Sequence, residues 1–160
     1  MGVSGLPASS QNPEAFAGLV RAIDLVFIND VALRDIFTLR TSVATMIDNL
    51  EAWLHALGPR ADVVLTMGEL GAVVFPRNDG ALIFVPALAV EVVDATGAGD
   101  TFAGVFLSLW MHGCSLGEAA QHAAIAASLT TTAEGAQGRI STLDDIRTEL
   151  ERMVPEEAEA

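Results

Sequence analysis

The run Asp94-Ala-Thr-Gly-Ala-Gly-Asp-Thr-Phe-Ala-Gly104 decides the fold expected for this chain, because it joins a predicted strand to a predicted helix through a glycine turn. Before it, the β-branched residues of Val90–Val93 are typical of a buried strand that ends where the run begins. After it, the apolar residues 101–112 predict a helix that begins near Gly99 or Asp100. A strand, a tight turn and a helix in this order indicate an α/β domain, with a mostly parallel sheet flanked by helices.

The turn at Gly97, Ala98 and Gly99 has the chemistry of an anion site. These residues lack bulky side chains, so the backbone can turn sharply and its N–H groups can approach an anion. Unpaired donors and the positive end of the helix dipole also favour phosphate at a helix N-terminus. Asp100 adds a carboxylate there, which can accept the proton of a hydroxyl that attacks a terminal phosphate. The alternative is a structural turn in which Asp100 caps the helix.

Residues 94–102 resemble the signature D-T-x-G-A-G-D-x-F of the ribokinase (PfkB-type) family of carbohydrate and nucleoside kinases, with Ala95 in place of the usual threonine. The resemblance implies a ribokinase-like three-layer α/β sandwich. It also implies that Asp100 is the catalytic base and that the three preceding backbone amides form the anion hole. ATP and Mg²⁺ are then the expected cofactors, and a small sugar or nucleoside is the expected acceptor.

Two further segments match nucleotide-binding elements of that family. The run Thr66-Met-Gly-Glu-Leu-Gly71 resembles T-x-G-x-x-G, which lies against the nucleotide phosphates. This resemblance makes Thr66 a hydroxyl donor to phosphate, with Gly68 and Gly71 allowing close approach of the backbone. By itself the run reads as a turn that needs glycines for positive φ. The loop at Gly135 and Ala136 resembles the segment that closes over the adenine.

Two positions are candidate metal contacts. Asn29 follows a predicted strand at the place where the family carries N-x-x-E, whose glutamate helps to hold the water shell of Mg²⁺. That glutamate position is Ala32 here, so the element is broken and Asn29 is left as a contact through water. In some members the first signature aspartate binds a monovalent cation such as K⁺, which makes Asp94 a candidate. The alternative for Asp94 is the cap of an Asx turn.

The composition limits the classes of partner. The net charge of −13 argues against nucleic acid. All eight basic residues are arginine, and the absence of lysine excludes a P-loop, so a nucleotide site must use backbone amides, arginine and Mg²⁺. The single cysteine, Cys114, and the lack of a signal-peptide pattern favour the cytoplasm. The longest apolar run, Phe102–Met111, is too short to cross a bilayer, so no membrane partner is expected.

The remaining pattern completes the alternation of helices and strands. Helices are predicted at 13–22, 30–37, 42–57, 116–131 and 142–153, and strands at 24–28, 62–66, 72–75 and 81–85. Asn78-Asp-Gly80 predicts a hairpin between the last two strands, and Trp53 is expected in the core or an interface. Ser141 is expected to cap the last helix.

The resemblance covers only the back half of a ribokinase-type protein. Residues 1–12 read as a loose lead-in, 13–153 as a nucleotide-binding and catalytic half-domain, and 154–160 as an acidic tail. The front half of the family, which grips the sugar, has no counterpart here. Two hypotheses follow: the catalytic portion of an ATP-dependent carbohydrate kinase, or a truncated, catalytically silent nucleotide-binding or interaction domain. A sheet edge left exposed where the front half would pair predicts self-association.

Overall fold

The computed structural model describes residues 12–58 and 61–153. Except for Asn12, the predicted lead-in and acidic tail lie outside those residues. The chain divides after Phe84 into two compact units. The elements in chain order are α1 (Pro13–Ala22), β1 (Leu25–Asn29), α2 (Asp30–Phe37), α3 (Val43–Leu57), β2 (Asp62–Thr66), β3 (Ala72–Phe75), β4 (Ile83–Val85), α4 (Ala98–Met111), α5 (Leu116–Thr130) and α6 (Leu143–Met153). None of the helices in the described ranges is long and apolar enough to cross a membrane.

The four strands form one sheet in the order β1-β2-β3-β4. β1 pairs with β2 in parallel, because α2 and α3 carry the chain back to the same end of the sheet. β2 pairs with β3 in antiparallel fashion, since only a tight turn separates them. β3 and β4 are neighbours joined by a short connection, as the predicted hairpin requires. The α/β class is therefore confirmed, but the sheet is mixed rather than mostly parallel, because β2 and β3 pair in antiparallel fashion.

The core of the first unit lies between the strands and α1 to α3. β1, β2 and β3 are buried along nearly their whole length, as expected for strands rich in valine, leucine and phenylalanine. Trp53 stacks on Phe16 with ring centroids 5.4 Å apart and meets Phe37 edge-on at 5.0 Å. The predicted packing role of Trp53 is confirmed, and this aromatic group joins α1, α2 and α3.

An ion pair between the buried Asp62 and the partly exposed Arg77 ties the strand ends of the first unit together. Asp62 begins β2, and its side chain is only 6% exposed. The Asp62 carboxylate accepts hydrogen bonds from the Arg77 backbone N–H at 2.7 Å and from the Arg77 Nε at 3.0 Å. The same guanidinium donates to the Asp24 carboxylate at 3.2 Å and to the Asp24 carbonyl at 2.9 Å. The hydrogen bond to Asp62 is the main reason that the pKa of Arg77 is raised.

In the second unit α4 packs along α5, and α5 meets α6. Alanines fill much of the buried face of α5, which allows neighbouring elements to approach closely. Ile125, Leu129 and Ile146 form a small apolar cluster at the α5–α6 contact.

The strand predicted at Val90–Val93 is wrong: residues 86–97 form no strand, and Val92 and Val93 are 60% and 61% exposed. A strand needs a neighbour for its backbone groups, and no described strand pairs with this segment. The N–H groups of Val93 and Asp94 instead donate to the Thr131 carbonyl, at 2.8 Å and 3.1 Å.

The start of α6 also differs from the sequence expectation. Thr142, not Ser141, caps the helix, because the Asp145 N–H donates to the Thr142 hydroxyl at 3.2 Å. In return, the Thr142 N–H and hydroxyl donate to the Asp145 carboxylate at 2.8 Å and 2.7 Å. Each hydroxyl residue has an acid three positions later, but only Thr142 and Asp145 form the reciprocal bonds among the described residues, and the Ser141 hydroxyl has no described partner.

Candidate functional site

The site predicted at the signature run lies at the N-terminus of α4. Gly97 is the N-cap, with φ of 84°, and the helix begins at Ala98. Asp100 is therefore the third residue of the helix and not its cap, so the purely capping role is wrong. Its carboxylate is exposed, and none of the described residues forms a hydrogen bond or ion pair with it. An acid in the first turn also gains from the helix dipole.

The backbone amides of the turn differ in what they can still bind. The Ala98 N–H donates to the Ala95 carbonyl over 3.3 Å, and the Thr101 N–H donates to the Gly97 carbonyl over 2.9 Å. Within the described part of the chain, the N–H groups of Gly97 and Gly99 have no hydrogen-bond acceptor. These two donors are available to an anion at the positive end of the helix.

Gly97 and Gly99 are glycines for different reasons. A Cβ on Gly97 would lie 2.7 Å from the Ala136 Cβ and 2.9 Å from its Cα. Gly97 also needs its positive φ to turn the chain into α4. A Cβ on Gly99 would meet nothing within 4 Å. The open space beside Gly99 leaves this side of the helix start accessible to a ligand.

Asp94 forms an Asx turn, which was one of the two roles predicted for it. Its Oδ1 accepts the Thr96 N–H at 2.9 Å and the Thr96 hydroxyl at 2.7 Å. Its Oδ2 accepts the Gly135 N–H at 2.8 Å. These bonds, led by that of the Thr96 hydroxyl, lower the pKa of Asp94. Its role as a cation ligand stays a prediction.

The hydrogen bond from the Gly135 N–H to Asp94 holds the loop after α5 against the signature run. Gly135 has φ of 79°, and its carbonyl accepts the Gly138 N–H at 3.0 Å, which closes a tight turn. Ala136 follows and lies against Gly97. The second unit thus brings together Asp94, the Gly97–Asp100 segment and Gly135–Ala136, all of which the sequence singled out.

The other candidate residues lie in the first unit. Thr66 and Asn29 are register partners at the carboxyl ends of the parallel strands β2 and β1. Ligands of open α/β sheets commonly bind outside these ends. The Asn29 side chain accepts the Ala32 N–H at 2.7 Å and so caps α2. No sequence reasoning assigned this capping role to Asn29.

The turn after Thr66 has the backbone that its glycines predict. Gly68 and Gly71 have φ of 57° and 90°, which confirms the need for positive φ. The Met67 N–H donates to the Gly71 carbonyl at 2.8 Å and closes the turn.

The described residues do not form a protein-held metal centre. No group of three or more histidine, cysteine, aspartate or glutamate side chains in 12–58 and 61–153 could hold an ion. Ala32, at the position of the expected glutamate, carries no ligand atom, and the Asn29 oxygen already binds its N–H. Any Mg²⁺ would therefore have to be held mainly by nucleotide phosphates and water.

Sequence reasoning missed a cleft of about 490 Å³ in the second unit. Its walls come from the segment before the signature run, α5, the loop after α5 and α6, with Arg139 and Arg152 among the lining side chains. Both arginines already have partners: Arg139 donates to the Thr132 hydroxyl at 3.0 Å, and Arg152 pairs with Glu149. Only the structure reveals this cleft, because its walls are far apart in the sequence.

Comparison with known proteins identifies the family of this chain. Residues 3–143 match the pfkB family of carbohydrate kinases. The chain belongs to this family. It is similar to ribokinase of Schizosaccharomyces pombe, with 34% identity over 108 residues, which are 66% of this chain and 33% of that protein. It is also similar to ribokinase of Arabidopsis thaliana, with 32% identity over 118 residues, 74% of this chain and 31% of that protein.

The fold of this pfkB-family chain is similar to part of the ribokinase fold. The structure of Arabidopsis thaliana ribokinase complexed with ribose and ATP has a TM-score of 0.76 and 28% identity to it. That match covers 93% of this chain and 46% of the solved chain. The chain thus spans about a third of the length of its curated relatives and about half of the solved structure.

Proposed function

We propose that this chain is the nucleotide-binding and catalytic portion of an ATP-dependent carbohydrate kinase, which transfers the γ-phosphoryl group to a hydroxyl of a sugar or nucleoside. The observation that carries the proposal is the Asp100 carboxylate, exposed and without a described partner beside open amides at the start of α4. The similarity to a ribokinase solved with ribose and ATP supports the class of both substrates.

The proposed chemistry uses few protein groups. The N–H groups of Gly97 and Gly99 bind the phosphate on which negative charge develops, and Ala98 assists if its 3.3 Å bond to Ala95 opens. Asp100 accepts the proton of the attacking hydroxyl. An unpaired carboxylate beside a phosphate site is electrostatically unfavourable, so a proton acceptor explains its presence better than a structural role does.

The other sequence-predicted residues have supporting roles in the proposal. The Thr66 hydroxyl, at the end of β2, donates to a phosphate, and the turn through Gly68 and Gly71 allows its backbone to approach. Gly135 and Ala136 contact the adenine through their backbone. Asn29 contributes only through water. Mg²⁺, bound with the nucleotide, would neutralise phosphate charge. We propose a cytoplasmic setting, supported by the single free cysteine, Cys114.

A second candidate is a nucleotide-binding domain without catalysis. Ala32, in place of the glutamate that the family motif carries, favours it, because that side chain would help to hold the water shell of Mg²⁺. The chain also spans only part of the length of its relatives. The two candidates differ in phosphoryl transfer and not in nucleotide affinity.

The substitution Asp100→Asn tests the proposal in the chain joined to a complete acceptor half. The amide keeps the shape but cannot take the proton, so we expect turnover to fall by a factor on the order of 10²–10⁴. Nucleotide affinity, measured by calorimetry, should stay the same or improve slightly, because a negative charge is removed.

Asp144→Asn is the matched control. Asp144 is also an exposed acid in the first turn of a helix, so its substitution removes a similar dipole interaction from a different helix, outside the signature run. Its turnover should be unchanged. Full turnover of Asp100→Asn would mean that the base lies elsewhere.

A further inference from the structure

Three kinds of contact join the signature run to the loop after α5. The N–H groups of Val93 and Asp94 share the Thr131 carbonyl, at 2.8 Å and 3.1 Å. The Gly135 N–H donates to the Asp94 carboxylate at 2.8 Å. Ala136 then lies so close to Gly97 that only glycine fits at position 97. We call this set of contacts the Asp94 junction.

The Asp94 carboxylate is the centre of the junction because each of its oxygens serves a different segment. Oδ1 holds Thr96 through two bonds and so sets the turn that leads into α4. Oδ2 holds Gly135 in the other loop, 41 residues further along the chain. All three donors need an acceptor, and a carboxylate offers acceptors only.

An asparagine at position 94 could not replace this arrangement. Its side chain has one oxygen and one NH₂ group, so either Thr96 or Gly135 would face a donor instead of an acceptor. Bonds to the ionised group are also stronger than bonds to a neutral amide. The junction therefore requires both the negative charge and the two acceptor oxygens of an aspartate at position 94.

We propose that Asp94 is a positioning residue, which fixes the turn at Thr96–Gly99 against the segment Gly135–Ala136 so that both meet the same nucleotide. The inference rests on the proposed function, since it assigns these segments to the phosphates and the adenine of one ligand. Asp94 itself touches neither substrate in this account. It acts through the two loops, because it fixes their positions relative to each other.

The test uses the full chain and two measurements. Amide exchange of Gly135 and Thr96, followed by NMR, reports the junction, and calorimetry with a non-hydrolysable ATP analogue and Mg²⁺ reports affinity. For Asp94→Asn we expect exchange of the Gly135 amide or of the Thr96 amide, whichever faces the NH₂ group, to rise at least about tenfold, the effect of losing one charge-assisted hydrogen bond. Affinity for the analogue should fall by a similar factor.

Two substitutions of Thr96 keep the test informative if Asp94→Asn fails to fold. Thr96→Val removes one hydroxyl bond to Asp94 at nearly constant shape, so exchange and affinity should change in the same directions by a smaller factor. Thr96→Ser restores the hydroxyl and should restore both values.

The contrary outcomes are distinct. Unchanged exchange of both the Gly135 and the Thr96 amides, or faster exchange with unchanged affinity, would overturn the positioning role alone. An affinity that depends on KCl rather than choline chloride, with a dependence that Asp94→Asn removes without altering exchange, would make Asp94 a cation ligand and overturn the inference. No binding by the unaltered chain in either salt would overturn the proposed function, and the inference with it.

Discussion

Gly97 and Gly99 are two positions apart in the signature run, yet only Gly97 is required by the fold. Gly97 combines φ of 84° with a contact to Ala136 that leaves no room for a Cβ. Gly97→Ala should therefore lower the free energy of unfolding by about 1–3 kcal/mol. Gly99→Ala, inside the helix and in open space, should be neutral or stabilise by up to about 1 kcal/mol. Denaturant unfolding of both variants measures this difference.

The same pair separates folding from ligand binding. We expect Gly99→Val to fold normally but to bind the ATP analogue more weakly, because its side chain fills the space beside the free amides. Calorimetry on this variant gives the affinity directly. Unchanged affinity would count against the assignment of the Gly99 amide to the anion hole.

At this scale the sequence predicted the glycine turn at the start of α4, because turn chemistry is local, and the catalytic role of Asp100 stays a prediction. The sequence could not predict that Gly97 lies against Ala136 or that Asp94 binds Gly135. Those contacts join positions about forty residues apart and depend on how α4 and α5 pack. The cap of α6 was mispredicted by one residue, since Ser141 and Thr142 are both ordinary cap residues.

For the element α6, the two hydroxyl residues that precede it, Ser141 and Thr142, give a matched pair of substitutions. Thr142→Ala removes the cap and should cost about 0.5–2 kcal/mol of unfolding free energy. The Ser141 hydroxyl is buried, and no described residue bonds to it, so Ser141→Ala should be neutral or slightly stabilising. Thermal unfolding of both variants tests the assignment, and the reverse order would restore Ser141 as the cap.

The strand elements of the first unit depend on the ion pair of the buried Asp62 with Arg77. Arg77→Ala leaves the Asp62 carboxylate buried without its guanidinium partner, which should cost about 3 kcal/mol. Arg147→Ala is the control, because Arg147 pairs with Asp144 on an exposed helix surface and should change stability by less than about 1 kcal/mol. Urea unfolding measures both, and equal effects would show that the Asp62 pair adds little.

The strands of this unit were predictable because their apolar runs are continuous and their neighbours lie within the described chain. Val90–Val93 has the same β-branched composition but forms no strand. A strand is a property of at least two segments, so composition alone could not reveal whether a partner is present. The fold class was secure from the sequence, whereas the pairing of this segment was not.

For the molecule as a whole, the chain carries the candidate base and anion site but spans only about half of a solved ribokinase. Phosphoryl transfer needs the acceptor hydroxyl to be held in line with the phosphate, and such positioning can be worth about 7–11 kcal/mol of the barrier. The family resemblance assigns the groups that grip the sugar to the front half. We therefore expect this chain alone to bind the nucleotide but to transfer phosphate to ribose very slowly.

Joining this chain to a complete acceptor half should raise the rate of ribose phosphorylation by at least about 10⁴-fold, while affinity for the ATP analogue changes by less than tenfold. Positioning accelerates only the transfer step, so the two measurements should separate. Transfer of labelled phosphate to ribose gives the rate, and calorimetry gives the affinity. Fast transfer by the chain alone would mean that the acceptor contacts lie within it, and nucleotide binding with no transfer even in the joined protein would favour the catalytically silent domain.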